Sequence, residues 1–141
     1  MKKVPMKRLL SLIALGVFSY LALPAADIVS FTDITPEQAA ALIAEKSADP
    51  LFVILDVRTP DEFAESRIQG ALNIDIKAPE FKERAGKLDK NGTYLVYCRR
   101  GVRSGMAMSL MKELGFKQVY NLAGGIMKWQ EEKLPLETAL P

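Results

Sequence analysis

Cys98 is the only cysteine in a chain of 141 residues that contains no histidine. It opens the stretch Cys98-Arg99-Arg100-Gly101-Val102-Arg103-Ser104, which places three arginines within five residues of a thiol. Without imidazole there is no Ser-His-Asp triad, no Cys-His pair and no histidine-ligated metal, and no cofactor is called for. A lone cysteine is often just a buried apolar residue. If Cys98 reacts, something other than imidazole must stabilise its thiolate.

The surrounding pattern can do so. Tyr94-Leu95-Val96-Tyr97 is a continuous apolar run that reads as a buried strand ending at Cys98. Gly101 permits a turn that a side chain would obstruct, and a helix is predicted from about Ser104. Successive N–H groups in such a turn form an anion cradle, and the start of the helix adds unsatisfied donors and a positive dipole end. Cations and helix N-termini also lower a thiol pKa. A persulfide on Cys98 carries charge on its outer sulfur, and sulfur-donating oxyanions such as thiosulfate need arginine to orient their oxygens. Cys98 is therefore the expected nucleophile, and Arg99, Arg100, Gly101, Val102, Arg103 and Ser104 the expected substrate-binding loop. Arg99 and Arg100 read equally well as solvated charges; Arg103, at the loop end, is the arginine expected to touch substrate.

The elements that must position this loop alternate. A strand over Val29–Ile34 leads to Thr35-Pro36-Glu37-Gln38, an N-cap with proline at the first helical position and a capping-box glutamine, and a helix to about Lys46. Leu51–Leu55 reads as a strand buried on both faces. Thr59-Pro60-Asp61-Glu62 repeats the cap and starts a short helix to about Ala64. Ala71–Ile74 is a further strand, and Pro79 to about Ala85 a short helix with Phe81 facing in. After the Asn91-Gly92 turn and the Tyr94–Tyr97 strand, Met106, Leu110, Met111 and Leu114 define the apolar face of a helix over Ser104–Leu114, with Gly115 as its left-handed C-cap. A strand over Lys117–Leu122, a Gly124-Gly125 turn and a helix from Ile126 to about Lys133, with Trp129 inward, complete the order. Such alternation predicts an α/β domain with a mainly parallel sheet covered on both faces, whose ligands gather at the carboxyl ends of the strands.

The N-terminus reads differently. Lys2, Lys3, Lys7 and Arg8 precede an apolar run from Leu9 to Leu23, and Ala25 and Ala26 close it. That order predicts a secretory signal peptide over residues 1–26, cleaved after Ala25 or Ala26, and hence an exported, periplasmic protein with its domain over 27–141. An uncleaved membrane anchor is the alternative; a span usually takes about 20 apolar residues, and Pro24 and Asp27 end this run sooner. Without those four basic residues, fifteen basic residues face seventeen acidic ones, a net charge of −2, so no global positive field points to nucleic acid. A lone thiol in an oxidising compartment forms no internal disulfide and is a liability unless its chemistry is used. Nothing resembles a coiled coil or a large apolar patch, and a monomer is expected.

Taken together, these stretches resemble a single-domain rhodanese. The loop from Cys98 is similar to the six-residue active-site loop of that family, closest to its C-R-K-G-V-T form, and departs at Arg100 and Arg103 toward more positive charge. Leu55-Asp56-Val57-Arg58 with Glu62-Phe63 resembles the D-V-R and E-[FY] pattern. Ile68-Gln69-Gly70-Ala71-Leu72-Asn73 resembles H-I-P-G-A-x-N, with Arg67 in the usual place of histidine and Gln69 in that of proline. Leu122-Ala123-Gly124-Gly125-Ile126 with Trp129 resembles the closing L-x-G-G-[IVF]-x-x-W. The resemblance covers about residues 28–135. It implies a five-stranded parallel sheet flanked by helices, transfer of sulfane sulfur from thiosulfate to a thiol or cyanide through a Cys98 persulfide, and Asp56 and Arg58 near the loop in a supporting role, such as hydrogen bonds from loop N–H groups to the Asp56 carboxylate. The implied partners are a small anionic sulfur donor and a thiol or redox-protein acceptor.

Two rival functions remain at this level. A persulfide or polysulfide carrier with little turnover has the same sequence requirements. A cysteine-dependent phosphatase or arsenate reductase of similar fold needs arginine six positions after cysteine, and here Arg103 is five positions on and Ser104 six.

Overall fold

A computed structural model describes residues 27–139. The expected signal segment, residues 1–26, lies outside the described residues. The chain runs β1 (Ser30–Ile34), α1 (Pro36–Lys46), β2 (Phe52–Asp56), α2 (Pro60–Glu65), β3 (Ser66–Arg67), β4 (Leu72–Asn73), α3 (Phe81–Gly86), β5 (Thr93–Tyr97), α4 (Val102–Glu113), β6 (Gln118–Leu122), α5 (Gly125–Glu131) and β7 (Glu137–Thr138). Five strands form one sheet in the order β1-β6-β5-β2-β4, with every pair parallel. This is the α/β architecture with a five-stranded parallel sheet that the sequence predicts.

β5 occupies the centre, and all five of its residues are buried. Side chains alternate across a strand, so Tyr94 and Val96 pack with Phe81 and Ala85 of α3 and Ala107 and Met111 of α4, while Leu95 and Tyr97 pack with Ala39 of α1 and Ile126 and Trp129 of α5. Helices thus cover both faces. Cys98 continues the face of Tyr94 and Val96, which directs the thiol toward α4.

Local chemistry explains the helix starts. Thr35 Oγ1 accepts from the Gln38 N–H at 3.2 Å while Gln38 Oε1 accepts from the Thr35 N–H at 2.9 Å, and Thr59 and Glu62 repeat the reciprocal cap. Gly115, at φ +90°, ends α4 with its N–H on the Lys112 carbonyl, and Phe116 N–H bonds Met111 O.

The sequence reading needs correction in four places. α4 begins at Val102 rather than Ser104, because Gly101 in the left-handed region already turns the chain into the helix. Of the expected face, Met111 is fully buried and Leu110 and Leu114 pack partly buried against the core, but Met106 is 58% exposed, and Ser104 and Ala107 are the other buried residues of the helix. Large apolar residues alone misplace the N-terminal half of this face, where the helix packs on the sheet through the small side chains of Ser104 and Ala107. Leu51 falls before β2 and is exposed, and the Ala71–Ile74 strand shrinks to two residues at the sheet edge.

β3 and β7, absent from the sequence reading, pair antiparallel as a small second sheet. Arg67, in the place usual for histidine in the family motif, donates to Glu137 Oε2 at 3.0 Å and lies over the Phe63 ring at 4.9 Å. Trp129 Nε1 donates to Pro135 O at 2.9 Å. These contacts hold the C-terminal segment against α2 and α5. A two-residue pairing carries no periodicity to read.

The corrected helix face gives a stability contrast. Met111→Ala is expected to cost about 2–5 kcal/mol, as for other fully buried methionines, whereas exposed Met106→Ala stays within about 0.5 kcal/mol of wild type. Urea unfolding of the two variants measures both.

Candidate active site

The site forms where β5 ends and α4 begins. Cys98 is 1% exposed, and its Sγ accepts from the Gly101 N–H at 3.1 Å and from the Ser104 hydroxyl at 3.3 Å. Burial alone pushes the thiol up. The Ser104 hydroxyl and the N–H groups of Ser104, Gly101 and Arg100 outweigh it, and the net effect lowers the Cys98 pKa. The expected cradle is therefore present, and it is built from backbone and one hydroxyl.

The loop holds its shape through its carbonyls. The Cys98 carbonyl accepts from the Ile126 N–H at 2.9 Å and the Arg99 carbonyl from the Met127 N–H at 3.1 Å, so the start of α5 caps the first turn of the loop. That approach needs glycine at position 125: a Cβ there, at φ +62°, would overlap the Arg99 carbonyl and the Arg100 nitrogen. Gly101, at φ +100°, packs against Leu122 and Gly124 backbone where a Cβ would be crowded.

The arginines divide into two kinds. Arg103 Nη1 and Nη2 each lie 2.8 Å from a separate oxygen of Glu62, a bidentate pair that ties the first turn of α4 to the first turn of α2. Arg103 holds the Glu62 carboxyl down at about 2, helped by the Thr59 N–H and hydroxyl and opposed by burial. Glu62 in turn raises Arg103 above its ordinary value. Arg99 and Arg100 are exposed on the loop. Arg100 Nε lies 3.4 Å from Met127 Sδ. Arg99 lines a polar cleft of about 170 Å3 together with Arg58, Glu62, Ser66, Met127 and Gln130. Val102 is 73% exposed.

Asp56 and Arg58 form a buried unit at the end of β2. Arg58 Nη2 lies 2.6 Å from Asp56 Oδ2 and 2.6 Å from the Ser66 carbonyl, and the Arg58 N–H donates to Asp56 Oδ1 at 2.9 Å. Burial would lower the guanidinium pKa, and Asp56 more than offsets this. The carboxylate is engaged by Arg58 and not by loop N–H groups, which converge instead on Sγ. Its support of the site is indirect: Arg58 forms the cleft wall and lies 5.5 Å from the Tyr97 ring centroid, one residue before the cysteine.

Sequence reasoning missed the second role of Glu62. Its cap position was legible, but a partner 41 residues away leaves no local signal. It also missed Asn121, whose amide reaches the Gly101 carbonyl.

Residues 35–132 match the family described as Rhodanese-like domain. The chain belongs to this family. It is 35% identical over 111 residues to the thiosulfate sulfurtransferase GlpE of Actinobacillus succinogenes, covering 79% of this chain and 95% of that protein. It is 43% identical over 74 residues to the thiosulfate sulfurtransferase PspE of Escherichia coli, covering 51% and 68% of the two chains. The crystal structure of a rhodanese-related protein from Thermoplasma volcanium superposes with a TM-score of 0.62 at 31% identity, over 76% of this chain and 98% of that one. In this rhodanese-like domain, the second glycine of the closing Gly124-Gly125 motif owes its residue type to the loop backbone that α5 caps, while Gly124 sits at φ +77° against its own helix at Lys128.

Two predictions follow from the geometry. The Ser104→Ala variant loses a donor to Sγ, so its thiol pKa rises and alkylation by iodoacetamide at neutral pH slows; rate measurements against pH test this. For the Glu62–Arg103 pair, the folded carboxyl titrates at about 2 against an ordinary 4.5. A depressed folded pKa stabilises the fold above the unfolded value and loses that contribution as pH falls through the folded one. Glu62→Gln, which keeps a capping-box side chain, is expected to lose roughly 1–2 kcal/mol at neutral pH. In denaturation at stepped pH, the gap to wild type should close between about 4.5 and about 2.

Proposed function

We propose that the protein is a sulfurtransferase that moves sulfane sulfur from thiosulfate to a thiol or cyanide through a persulfide on Cys98. The observation that carries this reading is the convergence of the Gly101 N–H and the Ser104 hydroxyl on Cys98 Sγ in a loop without histidine. These donors hold the thiolate that attacks, and the same donors suit the charged persulfide that results. The thiolate attacks the outer sulfur of thiosulfate; the sulfur–sulfur bond of the donor breaks, and sulfite leaves with the electron pair. An acceptor thiolate or cyanide then attacks the outer sulfur of the persulfide, and the Cys98 thiolate leaves. No proton has to pass through a histidine in either step.

Arg99 is the arginine best placed to meet the donor, since Arg103 is engaged by Glu62 and Arg99 lines the cleft. The names of the two relatives above, both thiosulfate sulfurtransferases, support the choice of donor. The basic and apolar order of residues 1–26 supports export to the periplasm as a cleaved precursor, where small thiols or a redox protein would accept the sulfur from a monomeric domain.

Loop size favours sulfur over phosphate. The sixth position after cysteine is Ser104, whose hydroxyl donates to Sγ itself and so closes the loop around one sulfur atom.

Incubation of the purified protein with thiosulfate, followed by intact-mass measurement, is expected to show a gain of one sulfur atom. Cyanide should remove the adduct, and Cys98→Ser should not form it; an unmodified wild type would overturn the proposal. Turnover with cyanide or a thiol separates an enzyme from a carrier that loads but does not cycle. Arg99→Met should raise the thiosulfate KM by about ten- to a hundredfold, since a hydrogen bond to a charged group contributes about 1.5–3 kcal/mol.

A further inference from the structure

Asn121 is the penultimate residue of β6 and is 4% exposed. It pairs with Asp33 across the β1–β6 ladder, so the two side chains leave the same face of the sheet. Its Nδ2 donates to Asp33 Oδ1 at 2.9 Å and to the Gly101 carbonyl at 3.2 Å. Two acceptors on one nitrogen fix the direction of the amide, because the reversed amide would set its oxygen against a carboxylate and a carbonyl. Asn121 Oδ1 is buried without a hydrogen-bond partner among the described residues. Most buried polar atoms are paired, so this side chain is held for what its nitrogen does.

What the nitrogen holds is the pivot of the loop. The Gly101 N–H donates to Cys98 Sγ, its carbonyl accepts the first helical bond from the Gly105 N–H at 3.0 Å, and its backbone lies at φ +100°. No side chain caps α4 from within its own N-terminal turn. The flexible residue that aims a donor at the sulfur is therefore anchored from a different strand.

We propose that Asn121 is a positioning residue for the Cys98 thiolate: it anchors the Gly101 carbonyl so that the Gly101 N–H stays aimed at Sγ, and Asp33 aims the Asn121 amide. The proposal rests on the reading of Cys98 as a sulfur-carrying thiolate, and its signature lies in the resting thiol. The charged groups near the loop from packed elements are Glu62 on α2 with Arg103 on α4, Asp56 and Arg58 at the end of β2, Asp75 after β4, whose charge reaches Arg103, and Asp33 on β1; Arg99 and Arg100 belong to the loop. Glu62, Arg103, Asp56 and Arg58 are locked in pairs, which leaves Asp33 as the charge that the variants below change.

Alkylation of the full chain by iodoacetamide, followed against pH, reads the thiol directly. Asn121→Ala is expected to move the midpoint up by about half to one pH unit, slowing alkylation below the midpoint by about three- to tenfold. Asp33→Ala alters an exposed residue, so its fold is retained, and it separates two causes. Loss of a nearby negative charge by itself favours the thiolate and lowers the midpoint, whereas loss of the amide's anchor raises it. A raised midpoint in Asp33→Ala is the expected result. An unchanged midpoint in a folded Asn121→Ala, or a midpoint in Asp33→Ala that stays or falls, overturns the proposal. Sulfur uptake from thiosulfate, measured by mass on the same samples, distinguishes the two failures. Uptake with coincident midpoints removes the role of Asn121 alone. Shifted midpoints without uptake remove sulfur transfer and leave the positioning role standing.

Discussion

A loop that turns its N–H groups inward onto one sulfur must turn its carbonyls outward, and each of those carbonyls then needs a donor. Much of the C-terminal half of the domain answers that requirement. The Cys98 and Arg99 carbonyls are met by the first N–H groups of α5, and the Gly101 carbonyl is met by the Gly105 N–H and the Asn121 amide. The glycine at position 125 follows from the first of these, because α5 has to come within backbone contact of Arg99 and Arg100. The order of strands follows too: β6 lies beside β5, so that the chain leaving β6 enters α5 directly beneath the loop.

Electrostatics are arranged around the same loop by pairing most of its charges. Burial works against a thiolate at Cys98, and the opposing contribution comes from oriented N–H groups and the Ser104 hydroxyl, which act at hydrogen-bond distance. Arginine charge near the sulfur is largely committed elsewhere. Arg103 is held by Glu62 and Arg58 by Asp56, which makes both of them struts with a fixed place rather than free cations. A buried pair such as Asp56–Arg58 carries a desolvation cost that can exceed its attraction, and the use of both pairs here is geometric: the partly exposed Glu62–Arg103 pair ties α2 to α4, and Asp56–Arg58 ties β2 to the start of β3. Arg99 and Arg100 keep their charge at the rim.

Which parts of this were legible in the sequence depends on how local the signal is. The alternating elements, both capping boxes, the Gly115 cap and the position of Cys98 at a strand end all come from patterns within a few residues, and the structure has them. Features that failed are non-local or lack large side chains. Periodicity of large side chains puts Met106 inward, whereas the helix turns Ser104 and Ala107 to the sheet, and their small size gives little hydrophobic signal. The β3–β7 pairing joins residues 66–67 to 137–138 across most of the domain. The Cys98, Gly101 and Ser104 constellation was visible because one loop contains it, whereas Glu62 and Asn121 reach the same loop from other elements and were not.

The division between a buried sulfur and an exposed rim bears on what the site can discriminate. Cys98 is enclosed by its own loop, so under the proposed function donors that differ only in groups remote from the reacting sulfur are not sorted at the thiol. Beside the loop, the cleft is lined by Arg99 together with Glu65, Gln130 and Met127. Under the proposed function, Arg99 and the mixed polar walls orient a donor anion while leaving the rest of the molecule loosely specified, since specificity needs contacts whose loss leaves a buried partner unpaired. The chemistry is therefore fixed by backbone that the whole fold braces. The cleft beside it combines two of the paired struts, Arg58 and Glu62, with the exposed Arg99.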